Sequence, residues 1–344
     1  MTTTSCATYF AIIENRLHKV CQTVNIICRK QGILNVSRAI RHALLSGGKR
    51  IRSIVCLAWY DMVAGDRSRV GWAAALDSAT ACEMIHAASL IMDDLPCMDD
   101  AQLRRSRPCT HIVFGEPTSL LAANMLVMLA YQQVLTSSYD CKSMRNMSKK
   151  RKKKMLRKKR KRMIGNIEDS RRRLRVFETL LSACDQMAQG QLLDLMFDEK
   201  SNHGNNHIHY VKEVHKGKTA ALFSASSEAG ALCADATSDE MQQARRYGMS
   251  LGMAFQIKDD IIDVMQGQDV SGKTSCRDVI KRRPSSVLSS GMDNSIEQMH
   301  DLVSDACSSL SLSSGCTIIL LSQIAQSLLA GLTKPISASR SVAV

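Results

Sequence analysis

Apolar residues recur three and four positions apart through Ala73–Met92, Leu120–Leu135, Leu174–Leu195, Lys218–Leu232 and Met241–Met265, the period of a helix with one buried face. Only five prolines occur in 344 residues, so long helices run uninterrupted. No run alternates with a period of two, and no strand is predicted. Turn-forming residues gather in "SGGKR", "LPCMDDAQ", "DEKSNHGNNH" and the Ser/Gly-rich stretch 285–316, which read as loops. The pattern predicts an all-α chain forming one domain over 1–344, interrupted by a lysine- and arginine-rich insertion at about 142–173.

Composition changes this picture little. No uninterrupted apolar run reaches the roughly 20 residues that span a bilayer. "CTIILLSQIAQSLLAGL" (Cys316 to Leu332) is broken by Ser and Gln and reads as a buried helix. Glu14 and Arg16 come too early for a secretory leader, and no long transit-like segment precedes the first helical pattern. Thirteen cysteines stand singly with no CxxC pair, which predicts neither a zinc site nor a disulfide framework but a reducing, cytoplasmic setting.

The formal charge of +14 is local. "KKRKKKMLRKKRKR" (Lys149 to Arg162) holds 12 bases, and removing these 12 from +14 leaves +2. The run reads as an exposed, disordered insertion, with a nuclear or anionic-membrane address as its alternative. A nucleic-acid partner is not expected, because the remainder is near neutral and no aromatics interleave the bases. Membrane association is not required by any other feature.

Candidate chemistry lies in two acidic motifs. In "QIKDDIID", Asp259 and Asp263 stand four apart on one helical face, with Gln256 three residues earlier. Stacked carboxylates repel unless a cation lies opposite, and Mg²⁺ is held by one or two carboxylates plus substrate phosphates. A solvent-facing acidic patch is the alternative. In the first motif, Asp93, Asp94 and Asp99 cannot share a straight helix, since six residues advance it by about 600°. Pro96 between them ends or bends the helix and lets Asp99 return. Asp100 is a candidate cap for the next element.

Arg104 and Arg105 come directly after. Bases beside a metal-ready acidic cluster suit a diphosphate, which binds metal and guanidinium together; a surface salt-bridge network competes with this reading. "GGKRIR" places Lys49 and Arg52 three apart after two glycines but lacks P-loop spacing. His86, seven residues before Asp93, lies on nearly the same face, where a lone histidine is commonly a core residue.

Together, "GGKRIR", "CEMIHAASLIMDDLPCMDDAQLRRSRP", "HIVFGE", "QGQLLDL", "HKGKTAALF" and "GMAFQIKDDIID" resemble the trans-isoprenyl diphosphate synthases, above all geranylgeranyl diphosphate synthases. The match runs from about Ala39 to Lys273 outside the basic insertion, and the part from about 284 matches poorly. The resemblance implies an isoprenoid synthase-type helical bundle around a deep central cavity. It implies a prenyltransferase condensing isopentenyl diphosphate with allylic diphosphates, dimethylallyl, geranyl or farnesyl, to form geranylgeranyl diphosphate. Asp93, Asp94, Asp99, Asp259 and Asp263 would hold about three Mg²⁺ ions. Arg104, Lys218, Thr219, Gln256 and Lys273 would contact the allylic substrate, and Lys49, Arg52, His86 and Arg105 the isopentenyl one. Asp93, Asp94, Asp99, Asp259 and Lys218 are the candidate catalytic residues, Ala88 and Ser89 the product-length positions, and a homodimer the expected assembly. Arg283 stands where a second lysine is expected, and Ser53 where proline is common. The competing readings are a terpene synthase of the same fold and the regulatory subunit of a heterodimer.

Overall fold

A computed structural model describes residues 5–65, 71–136, 149–197, 205–269, 283–310 and 316–330. In 149–166, 205–206, 266–269 and at 316 it describes the backbone alone. The five segments with helical periodicity all lie in helices. Among the described residues the helices run α1 Cys6–Lys30, α2 Leu34–Leu44, α3 Ile51–Ala64, α4 Trp72–Asp93, α5 Thr110–Phe114, α6 Glu116–Leu135 and α7 Lys149–Met196. They continue as α8 Asn205–His215, a π-helical turn Lys216–Ala220, α9 Ala221–Cys233, α10 Ser238–Asp269, α11 Ser286–Ser290, α12 Met292–Ser308 and α13 Cys316–Gln326.

The centre is made by α3, α4 and α9, which are buried on most sides. Small residues let their backbones approach: a Cβ added at Gly230 would stand 2.0 Å from the Cys56 carbonyl oxygen. Outer helices carry one apolar stripe each. That of α1 is Tyr9, Ile13, Leu17, Cys21, Val24 and Cys28, one residue per turn, and the Ser5 hydroxyl accepts the Thr8 N–H at its start. Ser53, in the place where proline was expected, donates to the Ala79 carbonyl 2.5 Å away and ties α3 to α4.

Four sequence expectations are corrected here. The stretch 285–316 is not a loop throughout, for α11 and α12 occupy much of it. Ser295, Met299, Val303 and Ala306 form a buried stripe there, and that burial outweighs the weak helix propensity of Ser and Asp. The basic insertion is not disordered where it is described, because Lys149–Met196 is one helix. Its last residues belong to the core: Arg172 and Arg173 are buried. A short antiparallel pair, β1 Leu103–Arg104 with β2 Arg107–Pro108, escaped the search for alternation because two residues hold no period. Finally, α6 is long and apolar enough to cross a membrane. It buries Ala122, Leu126 and Ala130 against the bundle while leaving Leu120, Leu121 and Met128 exposed, so it is apolar on two sides.

One end of the bundle is closed by charge. Asp77 of α4, 1% exposed, accepts from Arg16 of α1 at 2.6 Å, Gln133 of α6 at 2.6 Å and Arg173 of α7 at 3.0 Å. Arg173 also donates to Asp169 and to the Val134 carbonyl. Removing one member of such a buried cluster strands the others. Asp77→Ala is therefore expected to cost about 3–5 kcal/mol of stability in urea unfolding. A loss below about 1 kcal/mol would mean that Asp169 alone satisfies Arg173.

Candidate active site

At the opposite end, α4 stops at Asp93 and the chain folds back as Pro96 predicts. The Asp99 N–H donates to the Asp93 carbonyl at 2.9 Å, and the Ala101 N–H to that of Asp94 at 3.2 Å. Among the described residues Asp100 caps no helix; it is exposed, with φ of +46° and its N–H on the Leu95 carbonyl. The hairpin beyond it turns through Arg105 and Ser106, both at positive φ, a conformation that usually takes Asn-Gly. The Arg105 guanidinium holds that turn against the loop between α2 and α3 by donating to the Gly47 carbonyl and the Ser46 hydroxyl. The same hairpin brings Arg104 onto the buried carboxylate of Asp94, with Nη2 at 2.6 Å and Nε at 3.0 Å. Two predicted ligand-binding residues thus bind each other.

The second half of the site is carried by α7, the π-helical turn and α10. A Cβ at Gly190 would lie 2.2 Å from the Lys218 backbone nitrogen, and one at Gly217 would lie 2.8 Å from the Gln186 carbonyl oxygen. Only glycines allow α7 and the turn to touch. Lys218 then donates to Asp194 at 2.6 Å, and the next residue, Thr219, donates to Gln256 at 2.6 Å. Arg283 joins Asp194 at 3.2 Å to Asp99 at 3.1 Å. The charge expected at the position of Arg283 is thus in use. π-Turns of this kind are frequent at functional sites.

Asp260, beside Asp259, faces the other way. It is 2% exposed and receives the Ser286 N–H and hydroxyl at 2.7 and 2.8 Å, with His215 at 3.3 Å and Gln256 at 3.1 Å. It anchors α10 to α11. Asp263 is partly buried one turn beyond Asp259. Lys258 is drawn away to carbonyls of Leu328 and Ala330, at 2.6 and 2.9 Å, closing the end of α13 over this side. Lys273 lies outside the described residues.

The bases divide likewise. Arg50 is structural: it donates to Glu14 at 2.7 Å, Glu83 at 3.4 Å and the Leu44 carbonyl at 2.7 Å. Arg52 is 9% exposed and stacks over Phe223, 4.2 Å from the ring centroid; burial lowers its pKa to about 10, against the pull of Glu83. Lys49 is exposed. His86, partly buried, lines a cavity with Arg50, Glu83, Arg104 and Arg105. Burial and those surrounding arginines hold its pKa well below the usual histidine range, so it is neutral at pH 7. Ala88 is buried, and the Ser89 hydroxyl donates to the His86 carbonyl at 2.9 Å, so neither position carries a ring.

Asp194 and Asp260 were not singled out from the sequence. Asp194 sat in "QGQLLDL" without a visible partner, since Lys218 and Arg283 lie far along the chain. Asp260 is distinguishable in principle, because neighbouring helical residues point about 100° apart and cannot share the face of Asp259.

Burial pushes the carboxyls of both motifs upward. Asp93 reaches about 6, with Asp99 and Asp194 adding to burial and Lys218 and Arg104 opposing it. Asp259 also reaches about 6, through burial and Asp260, against Arg52, Lys258 and Lys49. Such groups gain from an added cation. Their donors are all oxygens, which suit a hard ion such as Mg²⁺. Among the described residues no three His, Cys, Asp or Glu side chains converge on one ion position. The residues fit Mg²⁺ in its ordinary protein mode, in which one or two carboxylates bind and phosphate oxygens complete the shell.

Comparison with known proteins shows the family. The polyprenyl synthetase family profile matches residues 34–309. Geranylgeranyl pyrophosphate synthase 12, chloroplastic, of Arabidopsis thaliana is 33% identical over 295 residues, 86% of this chain and 74% of that protein. Geranylfarnesyl diphosphate synthase, chloroplastic, of Leucosceptrum canum is 34% identical over 79% of this chain and 66% of its own. Among solved structures, an FPP/GFPP synthase from Zymomonas mobilis superposes with a TM-score of 0.64 at 26% identity, covering 92% of this chain and 99% of that one.

The raised Asp93 pKa has a measurable consequence. Its folded-state value, about 6, exceeds the ordinary 3.8. Stability from this group is therefore fully present below pH 3.8 and lost as pH rises through 6. Asp93→Asn removes the titration. Without Mg²⁺ it is expected to stabilise the protein by about 1–3 kcal/mol at pH 7.5 and by almost nothing near pH 4. Urea unfolding at the two pH values checks this; equal effects at both would contradict it.

Proposed function

The chain belongs to the polyprenyl synthetase family, and from that premise we propose that it condenses isopentenyl diphosphate with an allylic diphosphate, C5 to C15, to form geranylgeranyl diphosphate. One observation carries this reading. Two groupings of charge lie at this end of the bundle: Lys218 is coupled to Asp194, Asp93 and Asp99, and His86 is surrounded by Arg52, Arg105, Arg104 and Arg50. A leaving diphosphate needs metal, whereas a diphosphate that stays on its substrate needs only to be held.

In this reading Asp93, Asp99, Asp259 and Asp263 would hold Mg²⁺, about three ions, with the allylic diphosphate, and Lys218, Arg104, Thr219 and Gln256 would position its oxygens. The role expected for Asp94 changes: its carboxylate is engaged by Arg104, so it orients that guanidinium. Bound Mg²⁺ supplies charge neutralisation for the departing diphosphate. Lys49, Arg52, His86 and Arg105 hold isopentenyl diphosphate with its double bond toward the allylic carbon. When the allylic C–O bond breaks, the electron pair leaves with the diphosphate. The isopentenyl π bond attacks the allylic cation, and loss of a proton forms the new double bond. Buried apolar walls such as Phe223 keep water from quenching the cation.

A second copy of the chain is the partner that the surface supports. Ile167, Leu174, Leu181 and Leu195 are exposed on α7 at seven-residue multiples, beside exposed Leu120 and Met128 on α6. Such a stripe is self-complementary about a two-fold axis. A cytoplasmic setting belongs to the same reading, since the exposed thiols of Cys6 and Cys97 suit a reducing compartment.

Purified protein, labelled isopentenyl diphosphate, C5, C10 or C15 primers and Mg²⁺ test the function: chain-extended products are expected, and none at any primer length would refute it. Asp93→Ala and Asp259→Ala are each expected to lower turnover by orders of magnitude with the fold intact. Lys49→Ala is expected to raise KM for isopentenyl diphosphate about 10-fold, roughly 1.4 kcal/mol, and to leave KM for the allylic primer unchanged. An unchanged isopentenyl KM would place that substrate elsewhere.

A further inference from the structure

Two side-chain rungs join the end of α8 and the π-helical turn to α10. The inner rung is Thr219 to Gln256, 2.6 Å long. The outer rung is His215 to Asp260, with Nε2 3.3 Å from Oδ2. His215 stands four residues before Thr219, and Asp260 four residues after Gln256, so the two segments run antiparallel and are pinned about one turn apart. Gln256 closes the figure by donating its amide N–H to Asp260 at 3.1 Å. The π-helical turn Lys216–Ala220, with Lys218 on it, spans the space between the rungs.

The outer rung lies outside the substrate site. His215 is 3% exposed and Asp260 2%. Among the described residues no other group hydrogen-bonds that imidazole nitrogen. Asp260 has further donors, the Ser286 N–H and hydroxyl on α11 and Gln256 of its own helix. Loss of the imidazole therefore leaves α10 tied to α11 but unties it from α8. A cavity of about 310 Å³ adjoins this rung, with His215, Ser286 and Met253 in its wall. A changed side chain at position 215 thus meets open space, and the fold tolerates it.

We propose that His215 is a positioning residue for the condensation: through Asp260 it holds the register in which Lys218 and the acidic motif of α10 face one allylic diphosphate. Asp260 is one residue from Asp259 and three from Asp263 on a continuous helix, so a rotation of α10 carries all three together. Lys218, which donates to Asp194, is three residues from His215 and moves with it. Lys49, Arg52 and His86 stand on the loop before α3, on α3 and on α4, outside this bracket. The inference rests on the condensation proposed above and adds to it a residue that touches neither substrate.

The test compares His215→Leu, which removes the donor, with His215→Gln, whose amide nitrogen reaches as far as Nε2. His215→Leu is expected to lower kcat at least about 10-fold, since a misplacement near 1 Å costs up to about 100-fold. It is also expected to raise the Mg²⁺ concentration for half-maximal rate about 10-fold and to leave KM for isopentenyl diphosphate unchanged. His215→Gln is expected to keep both quantities near their wild-type values. A merely structural role lowers the melting temperature and the yield of active protein in both variants but leaves the Mg²⁺ requirement unmoved; that result overturns the inference. Equal kinetic losses in the two variants overturn it as well. If His215→Leu is unfolded by circular dichroism, His215→Asn decides, because its nitrogen ends short of Asp260. It is expected to show the kinetic pattern of the leucine variant, and wild-type kinetics from it overturn the inference. Chain extension by wild type with unaltered kinetics in folded His215→Leu overturns this inference alone. No condensation by wild type overturns the proposed function and this inference with it.

Discussion

The ion pair between Lys218 and Asp194, 2.6 Å long, fixes the spacing on which the site depends. It forms because Gly190 and Gly217 let α7 and a π-helical turn meet backbone to backbone. With Lys218 so placed, Asp93 gains a counter-charge across the cavity, and Thr219 one residue later reaches Gln256 on α10. Two consecutive residues thereby gauge the distance between the acidic motifs. Burial works to lower the Lys218 pKa, but Asp194 and Asp93 together hold it above the usual lysine value, so the ammonium is permanent.

The remaining charges divide by their partners. Asp260, Asp94, Arg50 and Asp77 have their hydrogen-bonding capacity spent inside the protein, and they shape the scaffold. Asp93 and Asp259 stay desolvated and under-compensated, which raises both to about 6. Arg52 is likewise depressed to about 10 by burial. Groups held uncomfortably in this way are the ones that a bound cation and anion would relieve, which is what the proposed function asks of them.

Much of this was legible in sequence because it is local. Helical period placed the central helices, Pro96 announced the return of Asp99, and the spacing of Asp259 and Asp263 put them on one face. What was not legible depends on long-range partners. Asp194 gains meaning only from Lys218 and Arg283, and Arg172 and Arg173 looked like the tail of a basic run until Asp77 and Asp235 met them. The hairpin at Arg105 and Ser106 was hidden because its turn uses residues that ordinarily avoid positive φ. The helix over Met292–Ser308 was hidden by serines whose neighbours, not propensities, decide their state.

The central claim is that the protein supplies part of a metal site and the diphosphate supplies the rest. Isothermal titration calorimetry of Mg²⁺ into the purified protein, with and without a non-ionisable allylic diphosphate analogue, tests it most directly. The account predicts weak Mg²⁺ binding alone, at least about 10-fold tighter binding with the analogue, and proton release near pH 6 as Asp93 and Asp259 ionise. Equally tight binding without the diphosphate would show a preformed site and contradict it.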